Sequence, residues 1–114
     1  MLLVAATRFN AEVRAYEFSR IAAALGCDAT PEAAIAAVRR LADDLDIPAN
    51  LQAIGVSETD LPAMAAQAIG VERLIRLNPG PVTVTDLEAV LRDSWVGDGD
   101  HLTPDQRLQR IRGN

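Results

Sequence analysis

The sequence predicts an all-α fold, a small bundle of about five to six helices. Apolar residues recur at spacings of three and four along most of the chain, which is the period of a helical face. Alanine, the best helix former, recurs in pairs and triplets, as in "RIAAALG" and "EAAIAAVRR". No segment shows the alternation of a strand. Because aromatic residues make up only 4% of the 114 residues, we expect a core built mainly from Ala, Leu, Ile and Val.

The first two helices are predicted over residues 2–8, ending near Asn10, and over about 11–25. Gly26 follows the second helix and is a natural C-terminal cap. One face of the second helix carries Phe18, Ile21 and Leu25.

A third helix is predicted between Thr30 and Pro48. Thr30 can cap its N-terminus, and Pro31 suits the first helical position. Pro48 is expected to stop it. Its buried stripe is predicted to consist of Ile35, Val38, Leu41 and Leu45.

A short turn and a fourth helix follow. The turn covers residues 50–53 and is broken by Gly55. Ser57 and Asp60 have the spacing of a capping box, so the helix is expected to start there, with Pro62 in its first turn. One face of this helix is predicted to carry Leu61, Met64, Ala65 and Ala68.

The stretch "RLNPGPVTVTDLEAVLRDSW" predicts a rigid bend and then a helix. Asn78 and Gly80 each precede a proline, and a residue before proline is pushed away from helical geometry. Thr83 and Asp86 form a second capping-box candidate. The buried face of the helix is predicted to consist of Leu87, Val90, Leu91 and Trp95.

The chain is expected to divide into a helical domain over residues 1–96 and a C-terminal part over residues 97–114. "VGDGDHL" is typical of a linker, and Thr103 begins a last short helix. The apolar anchors of that helix are Leu108 and Ile111.

Charge and composition exclude several classes of function. The net charge is −5, whereas nucleic-acid and anionic-membrane binding need a basic surface. No apolar run approaches the ~20 residues of a membrane span, and the start lacks the features of a signal peptide. One cysteine excludes an internal disulfide. We therefore expect a cytoplasmic protein. The only basic cluster consists of Arg107, Arg110 and Arg112.

No active site, metal site or cofactor site is predicted from the residues. His101 is the only histidine, and it alternates with Asp98 and Asp100 in a sequence typical of a solvated linker. Cys27 follows a helix end, where no positive dipole favours a thiolate. A zinc site needs more ligands than one Cys and one His. Glycine-rich phosphate loops and Gly-x-Ser-x-Gly elbows are absent. We therefore assign no catalytic, cofactor-binding or metal-binding residue.

Three segments together resemble the C-terminal end of the iron-dependent (group III) alcohol dehydrogenases. They are "LLVAATRFN", "IPANLQAIGVSETDLPAMAAQAI" and "NPGPVTVTDLEAVLRDSW". Their order and spacing also fit, over roughly residues 1 to 95. Two departures are Val4 in place of a proline and Gly80 in place of an arginine. The matching residues are Leu2, Leu3, Phe9, Asn10, Ile47, Pro48, Leu51, Ile54, Gly55, Val56, Asp60, Leu61, Pro62, Asn78, Pro79, Pro81 and Thr83.

The resemblance implies an α-helical domain of an NAD(P)-linked, iron-dependent enzyme. In that family an Asp and three His hold the metal, and all four positions, with the nucleotide-binding domain, would lie before Met1. The double-proline bend would swing the last helix back across the domain. Leu74 and Ile75 match a region that lines the substrate pocket in relatives.

Three functions are therefore open. In the first, the chain is a non-catalytic remnant of a dehydrogenase that self-associates, and its homo-oligomer buries residues 2–9. Alternatively, it is the helical subunit of a split dehydrogenase, with a separately encoded N-terminal half as its partner. The third alternative is an unrelated helical interaction module.

Overall fold

A computed structural model describes residues 2–97, and all regular structure in that range is helical. This confirms the predicted all-α fold. Short 3-10 helices cover Leu51–Ile54 and Glu58–Asp60. The α-helices are α1 (Leu2–Ala11), α2 (Ala15–Ala24), α3 (Pro31–Asp44), α4 (Leu61–Ile69), α5 (Glu72–Ile75) and α6 (Val84–Val96).

The longer helices follow one another in space in the order α4, α6, α1, α3, α2. Helix α6 packs against α4 and against α1, and α3 packs against α1 and α2. The resulting body measures 45 × 35 × 18 Å. Few large side chains are enclosed on all sides: among the leucines of residues 2–97, only Leu51 and Leu61 have an exposed fraction of 2% or less.

Small side chains form the most deeply buried part of the core. Ala22, Ala34 and Ala65 are almost fully buried, one each on α2, α3 and α4. Leu61 is the largest side chain that is fully enclosed. Alanine favours the helix and lets a neighbouring backbone approach closely at these three positions.

Three of the four predicted helix caps are confirmed. The Thr30 hydroxyl accepts a hydrogen bond from the Ala33 amide at 3.1 Å, with Pro31 at the start of α3. Thr83 and Asp86 form a reciprocal capping box, with distances of 2.9 and 3.1 Å. Gly26 ends α2, as described below.

The capping box predicted at Ser57 and Asp60 is wrong. The Ser57 hydroxyl lies 3.0 Å from the Thr59 hydroxyl and makes no capping bond. A 3-10 turn over Glu58–Asp60 leads directly into α4, so the chain is already helical where the cap was expected. Pro62 does lie in the first turn of α4, as predicted.

Two further expectations are corrected. Helix α2 begins at Ala15 rather than near residue 11, because the amides of Val13 and Arg14 close a turn on the Asn10 carbonyl. The predicted buried stripe of α3 is wrong at its C-terminal end, where Leu41 and Leu45 are 58% and 63% exposed. Among the described elements α1 and α2 pack on α3, and they cover its alanine face instead.

Helices α2 and α3 end in the same hydrogen-bonded motif with different residues at its centre. After α2, Gly26 has φ +79° and the Cys27 amide bonds to the Ala22 carbonyl at 2.9 Å. After α3, the equivalent amide bond is present, but Asp46 takes the left-handed position with φ 58°. Glycine is the usual residue there because it has no Cβ to clash.

The bend before α6 is closed by local contacts. The Asn78 amide group donates a hydrogen bond to the Gly80 carbonyl at 3.0 Å. A Cβ on Gly80 would lie 3.3 Å from Cγ2 of Val13, so the turn between α1 and α2 packs directly on the bend. The bend directs α6 back between α1 and α4.

We expect Asp46→Gly to raise the free energy of unfolding by roughly 0.5 kcal/mol, because it removes left-handed strain from a side-chain-bearing residue. The matched change, Gly26→Ala, should lower the free energy of unfolding by about 1 kcal/mol. The cause is the left-handed φ of Gly26 alone, since no atom lies within 4 Å of the added Cβ. Urea denaturation of both variants measures the difference. A loss of stability in Asp46→Gly would show that the Asp46 side chain stabilises the fold.

Gly80→Ala should destabilise the chain by about 0.5–1 kcal/mol, because the new methyl group crowds Val13. In a Val13→Ala background the crowding atoms are gone, and the same change should be neutral or slightly stabilising. A double-mutant cycle from thermal denaturation gives the coupling energy. Strictly additive effects would mean that Val13 and the bend do not pack on each other.

Candidate functional site

One cleft gathers charged and polar side chains from distant parts of the chain. It lies where α1, α3 and the C-terminal end of α6 meet the segment after α3. Arg8 comes from α1, Arg39 and Asp43 from α3, and Asp93 and Ser94 from α6. The packing of α1 on both α3 and α6 brings these residues together.

The charges lining the cleft are balanced. The lining contains two arginines and two aspartates, which are Arg8, Arg39, Asp43 and Asp93. Nη1 of Arg8 lies 2.6 Å from Oδ2 of Asp93, and these side chains are 40% and 36% exposed. An ion pair with this exposure contributes about 0.2–1 kcal/mol. The pair joins α1 to α6, and with opposite charges beside each other the cleft has no strong preference for either sign of ligand.

Polar groups at the inner wall of the cleft are structural. The Asn50 side chain is buried and accepts a hydrogen bond from the Ala53 amide at 2.9 Å, which caps the first 3-10 helix. The Ser94 hydroxyl is buried and has no hydrogen-bond partner among the described residues. A serine nucleophile needs an adjacent base. The sequence has a single histidine, His101, and it lies outside the described residues.

The cleft is too small for an organic substrate or a dinucleotide. Its volume is about 40 Å³. A water molecule needs about 10–15 Å³ on the same measure, whereas sites for small molecules span about 300–1,000 Å³. The cleft therefore has room for a few waters.

The described residues do not fit an iron centre. Within residues 2–97 no three side chains of His, Cys, Asp or Glu come together in a way that could hold a metal ion. That range contains no histidine, whereas the resemblance implies a set of one Asp and three His. Any iron site would need ligands from another part of the polypeptide or from another chain.

The other residues singled out in the sequence lie apart from the cleft or outside the described range. Cys27 is half-buried, and its Sγ lies 3.6 Å from Nη2 of Arg40. Leu74 is 59% exposed on the short helix α5, which does not line the cleft. The predicted linker and last helix, with Asp98, Asp100 and His101, lie outside the described residues.

Comparison with known families identifies the source of the fold. The model for the C-terminal part of the Fe-containing alcohol dehydrogenase family matches residues 1–95. None of the curated proteins compared with the chain matches it. The family match confirms the resemblance read from the three sequence segments. The match ends at residue 95, one residue before the end of α6, so the segment after α6 lies outside the matched region.

The untagged 114-residue chain, purified without chelators, is expected to contain no stoichiometric iron or zinc. The reason is the number of ligands, because tight sites use three or four well-placed donors and the sequence offers one His and one Cys besides carboxylates. Elemental analysis by mass spectrometry measures the metal content. Calorimetry with NADH and NADPH should likewise show no binding heat. One tightly held transition-metal ion per chain, or micromolar nucleotide binding, would contradict this expectation.

Proposed function

This chain belongs to the Fe-containing alcohol dehydrogenase family, and from that premise we propose that it is a self-associating helical unit without dehydrogenase activity of its own. The family match shows the relation to these oxidoreductases. The proposal adds that these 114 residues carry the packing function of the C-terminal domain and not its chemistry. The observation that carries it is an apolar surface at the start of α1.

Helix α1 is apolar on the side that faces away from the core as well as on the side that faces it. Val4 and Ala5 are buried, at 8% and 4% exposure. The preceding Leu2 and Leu3 are 44% and 65% exposed. Leucines next to each other on an exposed helix end are typical of a surface that is covered by another protein. The simplest closed arrangement is a two-fold dimer that buries the same surface on both chains.

A second arrangement explains the same surface. In it the chain is the helical part of a dehydrogenase whose nucleotide-binding and metal-binding part covers α1. The restriction of the match to the C-terminal part of the family supports this alternative. The DNA upstream of the Met1 codon separates the two. A frame there that encodes a glycine-rich nucleotide domain and three candidate histidine ligands would favour the second arrangement.

The proposed setting is the cytoplasm, with no nucleic-acid or membrane partner. The net charge of −5 argues against nucleic-acid and anionic-membrane partners, because phosphate-rich surfaces repel an acidic protein. Among the helices of residues 2–97, none has the length and apolar character to cross a bilayer.

Sedimentation velocity at micromolar concentration is expected to show a homodimer or a higher homo-oligomer. Leu3→Asp should weaken the association by about tenfold or more, because it places a charge in an apolar interface. The matched control is Leu77→Asp, since Leu77 is 78% exposed and lies between α5 and the bend, in a separate part of the chain. A chain that is monomeric at these concentrations would contradict the proposal. Equal effects of the two variants would place the interface away from α1.

A further inference from the structure

The start of α1 is too small to form a stable interface by itself. Its exposed large apolar residues are Leu2 and Leu3. Burying two leucines removes roughly 120–240 Å² of apolar surface from water, at about 1.5–3 kcal/mol per side chain and about 25 cal/mol per Å². A standard protein–protein interface buries about 800 Å² on each partner. An association that uses α1 therefore needs a further apolar surface to pack against.

The C-terminal end of α3 presents such a surface. Leu41, Leu45 and Ile47 are 58%, 63% and 40% exposed. Leu41 and Leu45 are one turn apart on α3, and Ile47 follows the hydrogen-bonded end of that helix. We call these three residues, together with Asp44 and Asp46, the α3 end surface.

The start of α1 and the α3 end surface border the same cleft. Val4 and Ala5 line the cleft from α1, and Ile47 lines it from the α3 end surface. Leu3 and Leu45 are nevertheless 65% and 63% exposed, so the two surfaces do not cover each other within one chain. Because the surfaces are neighbours, one two-fold axis can place each of them against its counterpart on a second copy.

The charges of the two surfaces are complementary. Asp44 and Asp46 are exposed, and the last turn of α3 contains no basic residue. The free carbonyls at the end of a helix add about half a negative charge. Helix α1 contains no acidic residue, and its N-terminal end carries about half a positive charge. Pairing two α3 end surfaces would instead bring the carboxylates of two chains together, and like charges weaken association.

We propose that the partner of the α3 end surface is the start of α1 from a second copy of this chain. Leu2 and Leu3 of one copy pack on the leucines of the α3 end surface of the other, and the contact is made twice about the two-fold axis. The inference rests on the proposed self-association and specifies which surfaces meet in it. The reciprocal contact doubles the buried apolar surface and uses both surfaces of each copy, so the assembly closes at two chains.

Crosslinking between two kinds of single-cysteine chain tests this arrangement. With Cys27→Ser as the background in the full chain, one sample carries Leu3→Cys and a ¹⁵N-labelled sample carries Leu45→Cys. After the chains are mixed and mildly oxidised, mass spectrometry separates the mixed disulfide from the two like disulfides. The mixed disulfide should form about tenfold faster than either like disulfide, through its higher effective concentration. The matched control replaces Leu45→Cys by Leu77→Cys and should show no such preference, since Leu77 is 78% exposed in a separate part of the chain.

Sedimentation velocity on the same samples separates the two ways in which the test can fail. Dimers in which the like disulfide of Leu3→Cys forms fastest would overturn the inference and leave the proposed self-association standing. Dimers with equal rates for all pairs would do the same. A chain that is monomeric at micromolar concentration would overturn both.

The charges provide an independent measurement. Asp44→Lys should weaken dimerisation severalfold at low salt, because the new cation would lie against the positive end of α1. The matched control is Asp28→Lys, which makes the same change in net charge at an exposed position before α3 and should have little effect. Equal effects of the two changes would overturn the assigned contact.

Discussion

The contact of α6 with α4 on one side and α1 on the other holds the described structure together. Among the described helices, α6 makes the main packed connection between α4 and α1. Polar contacts fix the helix in this position. The indole N–H of Trp95 donates to the Val56 carbonyl at 2.9 Å, and the Gln52 amide group donates to the Trp95 carbonyl at 2.9 Å. The bend before α6 and its capping box set its direction at the other end.

The small residues in the core explain why so many large apolar residues are outside it. Helices that meet through Ala22, Ala34 and Ala65 lie close together, and little room is left between them for leucine. The leucines therefore lie beside the contact lines, as Leu41 and Leu45 do on α3. The proposed self-association uses the same property at the start of α1.

Local signals were sufficient to predict much of the fold. The confirmed caps involve only residues within one helical turn, so their roles could be predicted from spacing alone; they are Thr30, Thr83 and Gly26.

The errors have a different origin. Whether Leu41 is buried depends on which element lies opposite it, and Ser57 failed as a cap because the next turn was already helical. The cleft was not predicted, because Arg8 and Asp93 are separated by 85 residues and no local pattern links them. The family and the helical class were accessible because the three matching segments keep their order and spacing.

The 18 Å thickness of the body has a consequence for its thermodynamics. The heat-capacity change and the denaturant dependence of unfolding both scale with the surface that unfolding exposes. A thin body with an alanine core hides less apolar surface per residue than a rounder domain of equal length. The plot of its free energy of unfolding against temperature, the stability curve, should therefore be broad and shallow, with only a weak maximum. For such a molecule, burying a few leucines against a neighbour changes the curvature as well as the height of that curve.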